Sequence, residues 1–243
     1  MMKKDIYLYA ICLIVTLMSC KKEDSAVKSE TGYATGKVAD TQGKPLSDVA
    51  VTIENTLTGT YASYVGKTGA DGTYKIKIGR VGTYHANAYL IKGFNGRNYH
   101  LPLHPDNDAV FSNAGAVRNF QWKLSGAMPE DGYYGAHIEL TGELGMDIDE
   151  QRIEYTLTPV GKLIDGSDGR VLTLHTGQPN TPAYNKLTDI PIGRYTLAAV
   201  YVKNGKRQPL RLKYTLDSGS YQSGLTIDFP ENWYEGVAVT YNY

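Results

Sequence analysis

Cysteine is almost absent from this chain: Cys12 and Cys20 are the only two in 243 residues. Both lie in the first twenty positions, so the remainder has no pair for a disulfide or a thiolate metal site. Stability must come from apolar cores. An excess of one charge is missing too, because 25 Lys and Arg face 25 Asp and Glu. Losing Lys3, Lys4 and Asp5 with a leader would leave that balance close to neutral. Such a chain lacks the long-range attraction that a polyphosphate partner needs, and no nucleic-acid partner is expected. Helical periodicity over any long segment is also lacking. So are several catalytic signatures. Gly66-Lys67-Thr68 resembles the tail of a phosphate-binding loop, but the glycine required five positions earlier is Tyr61. No His-Glu-x-x-His and no Gly-x-Ser-x-Gly occurs. The sequence therefore predicts no enzyme and no cofactor.

What is present begins with an address. Met1-Met2-Lys3-Lys4 is a short positive head, and Ile6 to Met18 is an apolar core. That core has the length of a secretory signal, whereas a membrane-spanning helix needs about 20 residues. Leu17-Met18-Ser19-Cys20 resembles the lipobox of bacterial lipoproteins. The resemblance implies cleavage before Cys20, acylation of Cys20 and a membrane partner through the lipid. Lys21-Lys22-Glu23-Asp24 is similar to the charged tag of surface-exposed lipoproteins in glycan-foraging Gram-negative bacteria, which implies an outer-membrane, cell-surface location. The expected organisation is a signal peptide over 1–19, a lipidated cysteine and flexible tether over 20–31, and two domains over 32–126 and 127–243.

The folded part reads as strands. Val49, Val51 and Ile53 share one face, as do Tyr74, Ile76 and Ile78, then Phe120, Trp122 and Leu124. Later runs repeat the period of two: Ile138 with Leu140, Ile153 with Tyr155 and Leu157, Leu225 with Ile227 and Phe229, and the closing Val237, Val239, Tyr241 and Tyr243. Alternation of this kind marks half-buried strands. Gly- and Asp-rich turns separate them, among them Asn204-Gly205, which predicts a tight hairpin, and Asp71-Gly72, which predicts another. The fold class expected is all-β, two tandem β-sandwiches. "IPIGRYTLAAVYV" in the second half echoes "GRVGTYHANAYL" in the first.

The first half carries a recognisable pattern: Gly36-x-Val38-x-Asp40-x-x-Gly43-Lys44-Pro45-Leu46-x-x-Val49-x-Val51, then Thr68 to Tyr74 as "TGADGTY". It resembles the carboxypeptidase regulatory-like domain, a transthyretin-like β-sandwich, over about residues 31 to 126. One departure is Gly69, where an acidic residue often follows the threonine. The resemblance implies a non-catalytic unit of the kind appended to enzymes and receptors, with a fold close to that of starch-binding modules. Its motif residues shape turns, so they imply a fold and do not name a ligand.

Four groups are candidates for chemistry. His100, His104, Asp106 and Asp108 cluster in sequence, but Pro102 and Pro105 forbid a helix, and in a strand the two histidines stand about 13 Å apart. No metal is expected there. Asp165 to Gly169, "DGSDG", has a calcium loop's composition without its ligand order and predicts a polar turn. Lys203 to Lys213 concentrates Arg207, Arg211 and Lys213 on one strand face opposite Leu210 and Leu212, which predicts a solvated hairpin. The candidate ligand-binding residues are two aromatic pairs flanked by turn residues, Tyr133 with Tyr134 and Trp233 with Tyr234. Exposed rings cover the apolar faces of sugars while neighbouring polar groups take the hydroxyls. Adjacent strand residues face opposite ways, so at most one ring of each pair is expected in the core where the turn is regular, and the other caps the sandwich end, packs at the domain junction or meets a glycan. The expected function is a binding or accessory module for a glycan or a partner surface protein. The alternative is a pilus-like or scaffold subunit that exchanges strands, suggested by the amphipathic closing strand.

Overall fold

In the computed structural model the described residues are 28–57 and 62–243. The signal, Cys20 and the charged tag lie outside them. The expected tether over 20–31 ends earlier than its composition suggests. Thr35 donates a hydrogen bond to the Lys28 carbonyl, Tyr33 N–H donates to the Glu30 carbonyl, and the Glu30 carboxylate pairs with Lys75. Residues 28–31 are therefore held against the fold.

The chain is all-β, and strand pairing closes within each half. One sheet of the first half takes β1 (Tyr33–Ala39) at its centre. It pairs antiparallel with β4 (Thr73–Lys77) and parallel with β9 (Ala116–Val117) and β10 (Phe120–Gln121). β10 pairs in turn with β7 (His104–Pro105). The facing sheet runs β3 (Ser63–Lys67), β2 (Ala50–Asn55), β5 (Thr83–Phe94), β6 (Arg97–Pro102), with β8 (Phe111–Ser112) also on β5. The alternating apolar residues meet between the sheets, where Val51, Ile53, Tyr84 and Phe120 are buried. Trp122 is buried as the alternation predicts, and Leu124 packs on the core from a partly buried position.

The motif residues of this half are structural. Gly36 lies so close to the Arg118 carbonyl and the Tyr74 ring that a Cβ would collide with both. Thr68 receives the Val49 N–H and donates to the Leu46 carbonyl, closing the entry to β2. Asp71 accepts from the N–H and hydroxyl of Thr73. The hairpin expected at Asp71-Gly72 does not form. β3 pairs with β2 and β4 pairs with β1, so this turn carries the chain from one sheet to the other. Alternation fixes which face of a strand is buried but not which strand it pairs with.

The second half repeats this wiring, except that β9 has no separate counterpart. β13 (Leu172–Leu174), β12 (Ile153–Pro159), β15 (Arg194–Lys203) and the first part of β16 (Lys206–Tyr214) succeed one another, with β17 (Leu225–Asp228) also on β15. This is the order β3-β2-β5-β6 with β8 on β5. Opposite it, β14 (Lys186–Ile190) pairs antiparallel with β11 (Ala136–Gly142), and β11 pairs parallel with β18 (Val237–Asn242). β18 also receives the second part of β16, as β10 receives β7. One strand thus bends between sheets in each half: β16 after Leu210, and the β6–β7 run at Leu103. The echo read in sequence marks the two matched central strands, β5 and β15. In both, a tyrosine near the strand start ties back to the preceding turn, Tyr84 to the Val81 carbonyl at 2.9 Å and Tyr195 to the Pro191 carbonyl at 2.8 Å. The hairpin at Asn204-Gly205 forms, with both residues at positive φ.

Candidate functional site

The two sandwiches are joined by a polar and aromatic seam. Phe229, the residue after β17, has a carbonyl that accepts from the Arg97 guanidinium at 2.7 Å and the Tyr99 hydroxyl at 2.9 Å. Glu231 accepts from the Asn98 N–H at 3.0 Å. Trp233 Nε1 donates to the His100 carbonyl at 3.3 Å. On another side, Thr41 donates to Asp165 at 2.7 Å, so the "DGSDG" turn is a contact between the halves. The connecting segment is fixed by Asp189, whose carboxylate accepts from the Gly126 and Gly135 N–H groups. Asp189 adopts φ +60, a conformation non-glycine residues take only when their surroundings enforce it.

This seam brings the two aromatic pairs together. Tyr134 and Trp233 are each 4% exposed, whereas Tyr133 is 42% and Tyr234 is 64% exposed. Each pair has one ring in and one ring out, though Trp233 and Tyr234 lie in a 3-10 turn over Trp233–Glu235, where strand alternation is not the cause. The inward rings belong to the junction. Tyr134 shares a 3.0 Å hydrogen bond with His104 Nδ1, their rings edge to face. Burial pushes the Tyr134 hydroxyl up to about 12, with Asp108 adding to the effect. Burial pushes the His104 imidazole down, reinforced by Lys123 and opposed by Asp106 and Asp108. Trp233 stands edge to face with Tyr234.

Two adjoining open clefts flank these rings, of about 670 and 620 Å³. Trp233, Tyr234, Met128, Glu130 and Asp131 line both. The larger cleft has the outward face of the β2-β5-β6 sheet as its floor: Glu54, His85, Asn87, Tyr89 and His100. Sequence reasoning weighed His100 only as a metal ligand and passed over the other four. Their signal was available, because His85, Asn87 and Tyr89 alternate with buried Tyr84, Ala86 and Ala88 along β5. Among the described residues, the side chains of Glu54, Asn87, Tyr89, His100 and Tyr234 make no hydrogen bond within the chain, while His85 bonds Asp108 at 2.9 Å. The smaller cleft holds Tyr133, His137 and Lys186. Lys186 is held by Glu139 at 2.9 Å, and its hydrogen bond draws the Glu139 carboxyl below its usual value.

The other candidates resolve into structural contacts. His104 serves Tyr134, Asp106 accepts from Asn119 N–H and side chain, and Asp108 serves His85. Among the described residues, no group of three His, Cys, Asp or Glu side chains could hold a metal ion. Arg207 pairs with Glu154, Arg211 donates to the Tyr221 carbonyl, and Lys213 lies over the Tyr221 ring at 4.8 Å.

No family model and no curated protein sequence matches the chain. Solved structures similar to it include fervidolysin from Fervidobacterium pennivorans, a keratinolytic enzyme related to subtilisin, at 12% identity over 83% of this chain and 31% of that one, TM-score 0.30. The Bacillus anthracis TIE protein shares 18% identity over 86% of this chain and 33% of its own, TM-score 0.30. A DUF3823 family protein from Bacteroides uniformis shares 10% identity over 83% and 100%, TM-score 0.20. The chain spans about a third of the length of the first two. At these TM-scores the likenesses carry nothing about function.

Proposed function

We propose that this chain is a non-catalytic glycan-binding module, anchored through lipidated Cys20 on the outer membrane and exposed at the cell surface. The observation that carries this reading is the larger junction cleft. Outward rings at Tyr89 and Tyr234 stand beside polar side chains that the fold does not use. Sugar recognition needs this combination of rings for C–H faces and free donors and acceptors for hydroxyls. The resemblance of the first half to a carboxypeptidase regulatory-like unit accords with an accessory role, and so does the lipobox.

A strand-exchanging scaffold would draw on β18, but β18 is paired on both sides within its own sheet. The binding reading is tested with Tyr89→Ala and Tyr234→Ala, retention measured on a panel of immobilised polysaccharides beside thermal melting. Each ring should contribute about 0.5–1.5 kcal/mol, so retention should drop several-fold while the melt holds. A wild type that binds nothing on a broad panel would end this reading.

A further inference from the structure

The chemistry of the larger cleft narrows the ligand. Four carboxylates line it: Glu54, Asp108, Glu130 and Asp131. Among the described residues of its lining there is no lysine or arginine. Of the cations around it, Lys186 is held by Glu139 in the adjoining cleft and Lys92 lies over the Trp122 ring, while Lys123 acts on the imidazole of His104 from outside the lining. Sites that recognise uronate, sulfate or phosphate groups supply fixed cationic donors. This one supplies none and adds like charge.

The floor is also long in one direction. His85, Asn87 and Tyr89 follow one another on the outward face of β5, and Ile91 continues the row with 62% of its surface exposed. From His85 to Ile91 the row covers roughly 20 Å. His100 stands opposite Ile91 in the register and Glu54 opposite His85. The cleft floor and the exposed face of β5 that continues it to Ile91 therefore offer a track for several consecutive sugars.

Building on the glycan-binding reading, we propose that the ligand is an uncharged oligosaccharide chain lying along β5, and that the cleft carboxylates exclude uronate- and sulfate-bearing polymers. The rings and Asn87 hold the chain without regard to charge. Glu54, Glu130 and Asp131 set the discrimination.

The test uses the soluble chain from residue 21 and matched pairs of polysaccharide that share one backbone, such as dextran with dextran sulfate and a neutral β-glucan with its carboxymethylated form. Binding is measured at pH 8, above the ordinary imidazole range, at low and at high salt. At least one neutral member should bind, and its charged counterpart should bind about tenfold more weakly at low salt, with the gap shrinking at high salt. The variant Glu54→Gln/Glu130→Gln/Asp131→Asn should melt as the wild type does and lose most of that discrimination. Equal or tighter binding of the charged member overturns this inference and leaves the glycan reading standing. Discrimination that survives the triple variant overturns it as well. If no member of any pair binds, the glycan reading itself fails and the inference fails with it.

Discussion

Replacing Trp233 with alanine separates a ring that builds the junction from one that meets ligand. Trp233 is 4% exposed, lies in the turn before β18, contacts β11, and donates its indole N–H to the carbonyl of His100 on β6. It therefore packs on both sandwiches at once. Truncating a buried tryptophan to alanine costs about 3–5 kcal/mol. For a chain of this size each kcal/mol shifts the melting midpoint by about 2–4 °C, so the unit that carries it should melt roughly 6–20 °C lower. The chain has two tryptophans, so the variant keeps Trp122 as its only indole, inside the first sandwich. Trp122 fluorescence then reports the first half alone, while circular dichroism reports both. If docking stabilises both halves, the fluorescence midpoint in urea should fall along with the dichroism midpoint. Trp233→Phe keeps most of the apolar surface and loses only the N–H, so it should cost less than about 1.5 kcal/mol. A loss below about 1 kcal/mol for Trp233→Ala by both probes would refute the claim that this ring joins the halves.

Cys20→Ala should move the protein from the outer-membrane fraction to the soluble one, and unchanged membrane association would refute the lipobox reading. Residues 28–126 should fold when expressed alone, since their strands pair only with one another, and Trp122→Ala in that fragment should cost about 3–5 kcal/mol. A cost under about 1 kcal/mol would mean the β10 face is read backwards. Burial lifts the hydroxyls of Tyr134 and Tyr195 to about 12, while the unfolded chain ionises its tyrosines near 10. Stability should therefore be full below pH 10 and fall between pH 10 and 12, because only the unfolded chain gains by losing the protons there. Urea midpoints measured across pH 8–12 should show this decline, less steeply in Tyr134→Phe. A flat profile would contradict it.

Much of the fold is legible in the sequence because a period of two is a local signal. Val49, Val51 and Ile53 announce their own strand, and Asn204-Gly205 announces its own hairpin. Pairing is not local. The same turn chemistry at Asp71-Gly72 could close a hairpin or carry the chain to the facing sheet, and the choice depends on β1 competing for β4. The site divides in the same way. That no more than one ring of Tyr133 with Tyr134 and of Trp233 with Tyr234 is buried is expected from their adjacency, but for the second pair the 3-10 turn over Trp233–Glu235 sets which ring goes in. Their meeting is not, because it depends on Phe229 and Glu231 docking onto Arg97, Asn98 and Tyr99, 130 to 133 positions away in the chain.

The repeated wiring turns the two halves into a controlled comparison. Strands β5 and β15 occupy the same place in the same topology. Aligned on Tyr84 and Tyr195, both bury Tyr, then Ala86 or Leu197, then Ala88 or Ala199. Their inward faces are thus under the same demand and carry similar residues. Their outward faces differ in kind. β5 presents His85, Asn87, Tyr89 and Ile91 where β15 presents Thr196, Ala198, Val200 and Val202. The fold accepts small threonine and aliphatic side chains at these outward positions of β15, and such residues are good strand formers. A topology of this kind therefore does not require the imidazole, amide and phenol on β5, and a demand other than folding is the natural account of them. The substitution His85→Thr/Asn87→Ala/Tyr89→Val transplants the outward face of β15 onto β5 without touching the core. It should leave the melting midpoint within a few degrees of the wild type and abolish glycan retention. A large fall in the midpoint would show that β5 needs these side chains for folding, and retained binding at an unchanged midpoint would remove the cleft floor from the site.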